Sequence, residues 1–191
     1  MDRNKKIVSL VVAIVVLLLV VYSCGRKKKL RNELLNSAYR GDYEKVKELI
    51  EEDGVDINFT KEGEGETALK KAALKGHTRV VEYLIKHGAD IEAADPSGVT
   101  PFMDTAFGHY DTMKVLIAAG AYVDAKDKDG VTALIRATYK NDVEIVELLI
   151  RSHTDVNHKD SSGASALMLA QQRGYKEIAK MLKAAGAVET E

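Results

Sequence analysis

Tryptophan is absent from this 191-residue chain, cysteine occurs once, at Cys24, and proline twice, at Pro96 and Pro101. One cysteine permits neither an intramolecular disulfide nor a cysteine-built metal site, so it gives no indication of compartment. With aromatics at 6%, the core must be mostly aliphatic. The 46% apolar and 30% charged composition is still that of a globular chain, not a disordered one. The length predicts one domain with an appendage.

Catalytic signatures are missing too. The five histidines, His77, His87, His109, His153 and His158, form no HExxH and no pair with a carboxylate at metal-ligand spacing. They read as turn and surface residues. The stretch "GEGET" has Gly63 and Gly65 but no third glycine, no following lysine and no preceding buried strand, so it is not a phosphate loop. No Ser/His/Asp order carries local signature residues. The expectation is a chain that is not an enzyme, with no catalytic, cofactor or metal residues. Asn58-Phe59-Thr60 is a formal glycosylation acceptor.

The formal net charge of −1 conceals a split. Residues 1–31 carry eight basic residues and one acid, whereas 32–191 carry 20 basic and 28 acidic. A domain at −8 is a poor partner for nucleic acid, because phosphate binding needs a basic surface.

Long apolar runs are limited to one. Ile7 to Cys24 is 18 residues without a charge, preceded by Arg3, Lys5 and Lys6 and followed by Arg26 to Lys29. As a helix it would span about 27 Å, close to a bilayer's hydrocarbon thickness. Three readings fit: an uncleaved single-pass anchor, a signal peptide cleaved before a lipidated Cys24, or an ordinary cleaved signal peptide. Val21, Ser23 and Cys24 resemble a bacterial lipobox, and Tyr22 departs from it. Basic residues beside a span tend to stay cytoplasmic, which favours the anchor with the following domain in the cytoplasm; the alternative is a bacterial lipoprotein or secreted protein. The expected organisation is a membrane anchor or signal segment over 1–25, a basic juxtamembrane linker over 26–31 and a domain over 32–191.

Within that domain an octapeptide recurs. "DPSGVTPF" from Asp95 has relatives in "EGEGETAL" from Glu62, "DKDGVTAL" from Asp127 and "DSSGASAL" from Asp160. Their Thr67, Thr100, Thr132 and Ser165 are spaced 33, 32 and 33 residues apart. After each comes a short run with small residues, then a turn residue (Gly76, Gly108, Asn141, Gly174), then an apolar stripe such as Val80, Val81, Leu84 and Ile85 at helical spacing. Each unit closes on a step such as Gly88-Ala89-Asp90-Ile91. A divergent first unit aligns Leu34 with Leu69, Gly41 with Gly76 and Gly54-Val55-Asp56-Ile57-Asn58 with the closing step. That makes units at about 32–61, 62–94, 95–126, 127–159 and 160–191.

These residues resemble the ankyrin repeat family, whose pattern is a D-x-x-G-x-T-P-L tip, two antiparallel helices and a closing G-A-D-V-N. Asp95, Gly98, Thr100, Pro101 and Phe102 meet the tip in full. The histidine common after T-P-L is replaced by Lys70, Met103, Ile135 and Met168, which puts its hydrogen bonds between units in doubt. The third unit lacks one residue between Phe107 and Gly108, so a tighter turn is expected. The resemblance implies an all-α solenoid of helix-turn-helix pairs with β-hairpin-like tips. It implies a monomeric protein-protein interaction scaffold, tethered by residues 7–24, with no nucleic acid or small-molecule substrate. A partner would dock on a concave face made by the tips and first helices, which the net charge makes acidic.

Carried over by alignment, that face comprises Glu64, Glu66, Pro96, Ser97, Val99, Lys128, Asp129, Val131, Ser161, Ser162 and Ala164 at the tips. Seven residues after the threonine position stand Tyr39, Leu74, Phe107, Tyr139 and Gln172. Most are large in a chain with few aromatics, so an aromatic stripe about 30 Å long is expected if helix pairs stack at roughly 10 Å. Covering the packed first helices would explain them equally.

Overall fold

A computed structural model describes residues 23–61 and 63–188 of the chain. Five helix pairs follow one another among these residues. Helix α1 covers 23–40 and α2 Tyr43–Glu51. Next come α3 (Ala68–Leu74) with α4 (Thr78–Lys86), α5 (Pro101–Thr105) with α6 (Tyr110–Ala118), α7 (Ala133–Tyr139) with α8 (Val143–Arg151), and α9 (Ala166–Gln172) with α10 (Lys176–Ala184). The first helices α3, α5, α7 and α9 pack in one row, and α2, α4, α6, α8 and α10 in a second. No unit this short buries its own stripe; stacking produces one continuous core. Leu34, Leu49, Leu69, Leu84, Phe102, Leu116, Leu134, Leu149, Leu167 and Leu182 all lie in it. Small residues at Ala72, Ala73, Ala106, Ala137 and Ala170 let the first helices approach closely.

The shared threonine position starts each first helix. Thr67, Thr100, Thr132 and Ser165 accept hydrogen bonds from the N–H groups of Lys70, Met103, Ile135 and Met168, so each caps one of the donors a helix leaves unpaired. Pro101 sits in the first turn, where its missing N–H costs nothing. The tighter turn expected in the third unit is corrected: α5 has 5 residues where α3, α7 and α9 have 7, so the helix shortens and the α5–α6 connection, 106–109, is one residue longer than the others.

The tips are hairpin-like turns rather than strands. Asp95 N–H donates to Val99 O at 3.1 Å and Gly98 N–H to Asp95 O at 2.8 Å. Among the described residues the one strand-like feature is an isolated antiparallel bridge between Lys159 and Ser165. Gly98 has φ +83°, and a Cβ there would stand 3.1 Å from Asp127 Cα and 3.2 Å from Lys128 N in the next tip. Gly98→Val is therefore expected to destabilise by about 1–3 kcal/mol, read as a lowered melting temperature. An unchanged melting temperature would contradict this account of the tip.

Two expectations concerned the amino-terminal region. The apolar run 7–24 lies outside the described residues except for Ser23 and Cys24; among the described residues no helix is long and apolar enough to cross a membrane. The expected linker at 26–31 is corrected: these residues continue α1 without a break. Leu30 packs on the core, Arg26 reaches Asp53 at 3.4 Å, and the Arg31 guanidinium lies 5.0 Å from the Phe59 ring centroid. A run of cations is compatible with a helix whose outer sides face solvent, so charge alone did not mark a loop. Cys24 is exposed and free on this helix.

Candidate functional site

Three tips are organised by an aspartate. Asp95 Oδ1 accepts from the N–H groups of Ser97 (2.8 Å) and Val99 (3.1 Å). Asp127 Oδ1 does the same for Asp129 (3.0 Å) and Val131 (2.9 Å), and Asp160 Oδ1 for Ser162 (2.9 Å) and Ala164 (3.0 Å). Successive tips are joined by Lys128 N–H to Ser97 O and Ser161 N–H to Asp129 O, both 2.8 Å. Burial alone would raise the Asp95 and Asp160 carboxyls, but these hydrogen bonds, with Lys70 beside Asp95 and the Ser162 hydroxyl on Asp160, hold both below the ordinary value.

Lys70 takes over the place of the expected histidine. Its side chain is only 5% exposed, and its Nζ lies 2.6 Å from Asp104 Oδ2 and 3.1 Å from Asp95 Oδ2. It thus ties the second first-helix to both the tip and the first helix of the third unit. Burial pushes the Asp104 carboxyl up, and Lys70, with Arg136 further off, pulls it back. Arg136 makes a pair within its own unit, with Nη2 2.7 Å from Asp127 Oδ2 nine residues earlier. The Lys70 pairing was not legible in the sequence. The only signal was a lone lysine where the family's histidine is expected.

Two histidines fasten neighbouring units. His77 Nε2–H donates to Tyr39 O at 3.0 Å and His109 Nε2–H to Leu74 O at 2.9 Å; a carbonyl only accepts, which fixes the tautomer. The reading of both as ordinary turn residues missed this reach into the preceding unit. Asn58 is likewise committed: its Oδ1 accepts from Asp90 N–H at 2.8 Å and its Nδ2 donates to Gly88 O at 3.2 Å. The residue that reads as a glycan acceptor is a staple between units.

The expected binding residues divide clearly. Tyr39, Phe107 and Tyr139 are 42, 38 and 51% exposed, while Leu74 is half-buried. Glu64, Ser97, Lys128, Asp129, Ser161 and Ser162 are exposed at the tips, and Glu66 and Val131 are half-buried. Glu66 is engaged by Lys71. Val99 is a correction: at 9% exposure it packs with Met103 and Ala125 and offers little surface.

Tips and first helices of the last three units enclose a groove of about 410 Å³. Phe107, Val131, Ile135, Tyr139, Ala164 and Leu169 supply its apolar lining, with Lys140 and Arg136 at its wall. It borders both tip residues and residues of the aromatic stripe. A second depression, of about 450 Å³, lies on the outer helices among Tyr43, Glu51, Arg79, Tyr83 and His87. Its groups are spent on one another. Tyr83 donates to Glu51 at 3.1 Å, Arg79 lies 3.8 Å from the Tyr43 ring centroid, and His87 stacks on Tyr83 at 4.0 Å. The groove among Phe107, Tyr139 and Leu169 is the more apolar of these two.

The charge on this face differs from the sequence expectation. The acids of the groove wall are already used, Asp127 by Arg136 and Asp160 by its own turn. Cations stand over the exposed rings instead: Lys75 Nζ 4.6 Å from the Tyr39 centroid, Lys140 Nζ 5.3 Å from Phe107, and the Arg173 guanidinium 4.1 Å from Tyr139. Glu64 and Asp129 remain exposed at the tips, so the face carries both signs of charge. Net charge averages over the whole domain and says nothing of this row.

A family profile described as "Ankyrin repeats (3 copies)" matches residues 34–127 and 105–190. Among curated proteins the chain is similar to ankyrin repeat domain-containing protein 40 of Homo sapiens, 38% identical over 80 residues, which is 42% of this chain and 22% of that protein. It is 40% identical over 74 residues to serine/threonine-protein kinase 12 of Arabidopsis thaliana, covering 39% of this chain and 16% of the kinase. Over 60 residues it is 42% identical to palmitoyltransferase akr1 of Schizosaccharomyces pombe, 31% of this chain and 9% of that one. The chain thus matches less than a quarter of the length of each of these relatives.

Proposed function

Because the chain belongs to the ankyrin repeat family, we propose that it is a non-catalytic scaffold of five repeats whose tips and first helices hold a protein partner. One observation carries this reading: the apolar groove where Phe107 and Tyr139 meet the tip residues Val131 and Ala164. Aromatic side chains bury much area while losing few rotamers, so exposed ones in register favour docking over mere coverage of the core. That the chain matches only a short part of each longer relative, one of them named for its ankyrin repeat domain, supports a binding module.

We also propose a membrane tether through residues 7–24, supported by 18 uncharged residues between basic flanks. Mass spectrometry of the mature amino terminus tests it. An intact residue-1 end with retention in the alkali-washed membrane fraction is expected. An acylated Cys24 would replace the tether with a lipoprotein anchor, and an unacylated cleaved end would remove it.

The docking face is tested by affinity capture with wild type and the Tyr39→Ala/Phe107→Ala/Tyr139→Ala variant. These side chains are exposed, so the variant should fold with a melting temperature within a few degrees of wild type. Its capture of the partner should fall at least about tenfold, as expected when central aromatic anchors are truncated. Equal capture by a folded variant would sink the assignment.

A further inference from the structure

The cations over the stripe follow the repeat. Eight residues after the threonine position stand Lys75, Lys140 and Arg173, and the same register in the first unit holds Arg40. The third unit has lost this residue, between Phe107 and Gly108. Three of the four cations lie over the ring that the preceding unit contributes one register earlier: Lys75 over Tyr39, Lys140 over Phe107, Arg173 over Tyr139. Leu74, whose cover would come from the third unit, has neither a ring nor, in that unit, a cation in register.

All four cations are exposed, and among the described residues none has a carboxylate within ion-pair distance. The acids nearest the groove are committed elsewhere, as described above. A cation at a helix C-terminus offsets the helix dipole, and Lys75, Lys140 and Arg173 do cap α3, α7 and α9. That role needs no aromatic ring beneath the charge. The combination places Lys140 at the wall of the apolar groove and Arg173 over Tyr139 beside it, with no carboxylate at ion-pair distance from either among the described residues.

We propose that the partner contributes an acidic polypeptide segment with apolar side chains. Its carboxylates meet Lys75, Lys140 and Arg173, and an apolar side chain enters the groove between Phe107, Tyr139 and Leu169. This rests on the docking face proposed above and adds the chemistry of what docks there. Oppositely charged surfaces speed encounter and suppress wrong partners, while the apolar contact supplies the lasting affinity.

The test is selection of random peptides displayed on phage against the full chain held in neutral detergent. Enriched peptides are then synthesised, and their affinities measured by fluorescence anisotropy at low and high salt. Enrichment of Asp and Glu beside Leu, Ile or Phe is expected. Binding should weaken at least about tenfold with Lys140→Glu/Arg173→Glu, by a smaller factor with Lys140→Gln/Arg173→Gln, and should fall with added salt. The Gln pair guards against misfolding of the charge-reversed one. Peptides without acidic bias that are nonetheless lost with Phe107→Ala/Tyr139→Ala would overturn the charge proposal and leave the docking face intact. Peptides indifferent to all of these substitutions, or no enrichment at all, would overturn both.

Discussion

Lys70→Met should cost about 3–5 kcal/mol of folding stability, because it strands a buried charge. The lysine side chain is 5% exposed, and its Nζ sits 2.6 Å from Asp104 Oδ2, a carboxylate itself almost fully buried. With methionine there, Asp104 keeps the desolvation penalty and loses its main compensation. The pH dependence follows from the direction of its shift. Burial already holds the Asp104 carboxyl above its ordinary value, so the folded state binds this proton more readily than the unfolded one. Such a group supports folding below its ordinary pKa, and that support is lost as pH rises through the raised folded value. Removing Lys70 raises the carboxyl further, so the variant's deficit should be largest near neutral pH and shrink in mild acid as Asp104 takes up a proton. Asp95 loses a partner as well, but its bonds from Ser97 and Val99 remain and limit its share. Urea unfolding of both proteins near pH 7 and near pH 4.5 measures this. The double variant Lys70→Met/Asp104→Leu should recover most of the loss, since an apolar pair can replace a buried ion pair. A deficit independent of pH, or no recovery, would mean that the pair is not what links these units.

Gly76→Ala should cost about 2–4 kcal/mol, well above the cost of Gly174→Ala. Both glycines have left-handed backbone, with φ of +68° and +72°, so each alanine carries the same backbone penalty of about 1–2 kcal/mol. Only Gly76 has a neighbour in the way. A Cβ there would lie 2.4 Å from His109 Nδ1, whereas at Gly174 nothing stands within 4 Å. The imidazole would have to move, and its hydrogen bond to Leu74 O would go with it, worth about 1 kcal/mol. In the His109→Ala background the extra cost of Gly76→Ala should vanish, leaving the pair of changes cheaper than their sum. The same logic explains Asn141, which holds a left-handed turn at φ 57° where the next unit supplies Tyr175 rather than histidine. Equal losses at Gly76 and Gly174 would show that the histidine does not fasten the units.

Much of this fold was legible because its signals are local and repeat. Thr67, Thr100, Thr132 and Ser165 act within one helical turn, Gly98 within one tip, and the apolar stripes within nine-residue helices. The missing residue before Gly108 shows directly as a shortened α5. What escaped reading depends on residues about a unit apart. Lys70 meets Asp104 across 34 positions, and His109 meets Leu74 O across 35. Nothing in "LKKAAL" distinguishes the buried Lys70 from Lys71 beside it, which sits partly exposed against Glu66. The aromatic stripe was legible as a register, because position seven repeats. Its cationic cover was not, because overall charge hid a row of three residues within an acidic domain. Residues 26–31 misled for a related reason: composition indicated a linker, while packing at Leu30 and Arg31 belongs to the first helix.

The central claim is that a protein partner sits on the face formed by tips and first helices. Site-specific photo-crosslinking in cells tests it most directly. A photoreactive residue replaces Tyr139, which borders the groove, or Glu144, which is exposed on the outer helix α8. The account predicts a discrete protein adduct from position 139, lost when Phe107→Ala is added, and none from position 144. An adduct of equal yield from 144, or from 144 alone, would contradict it.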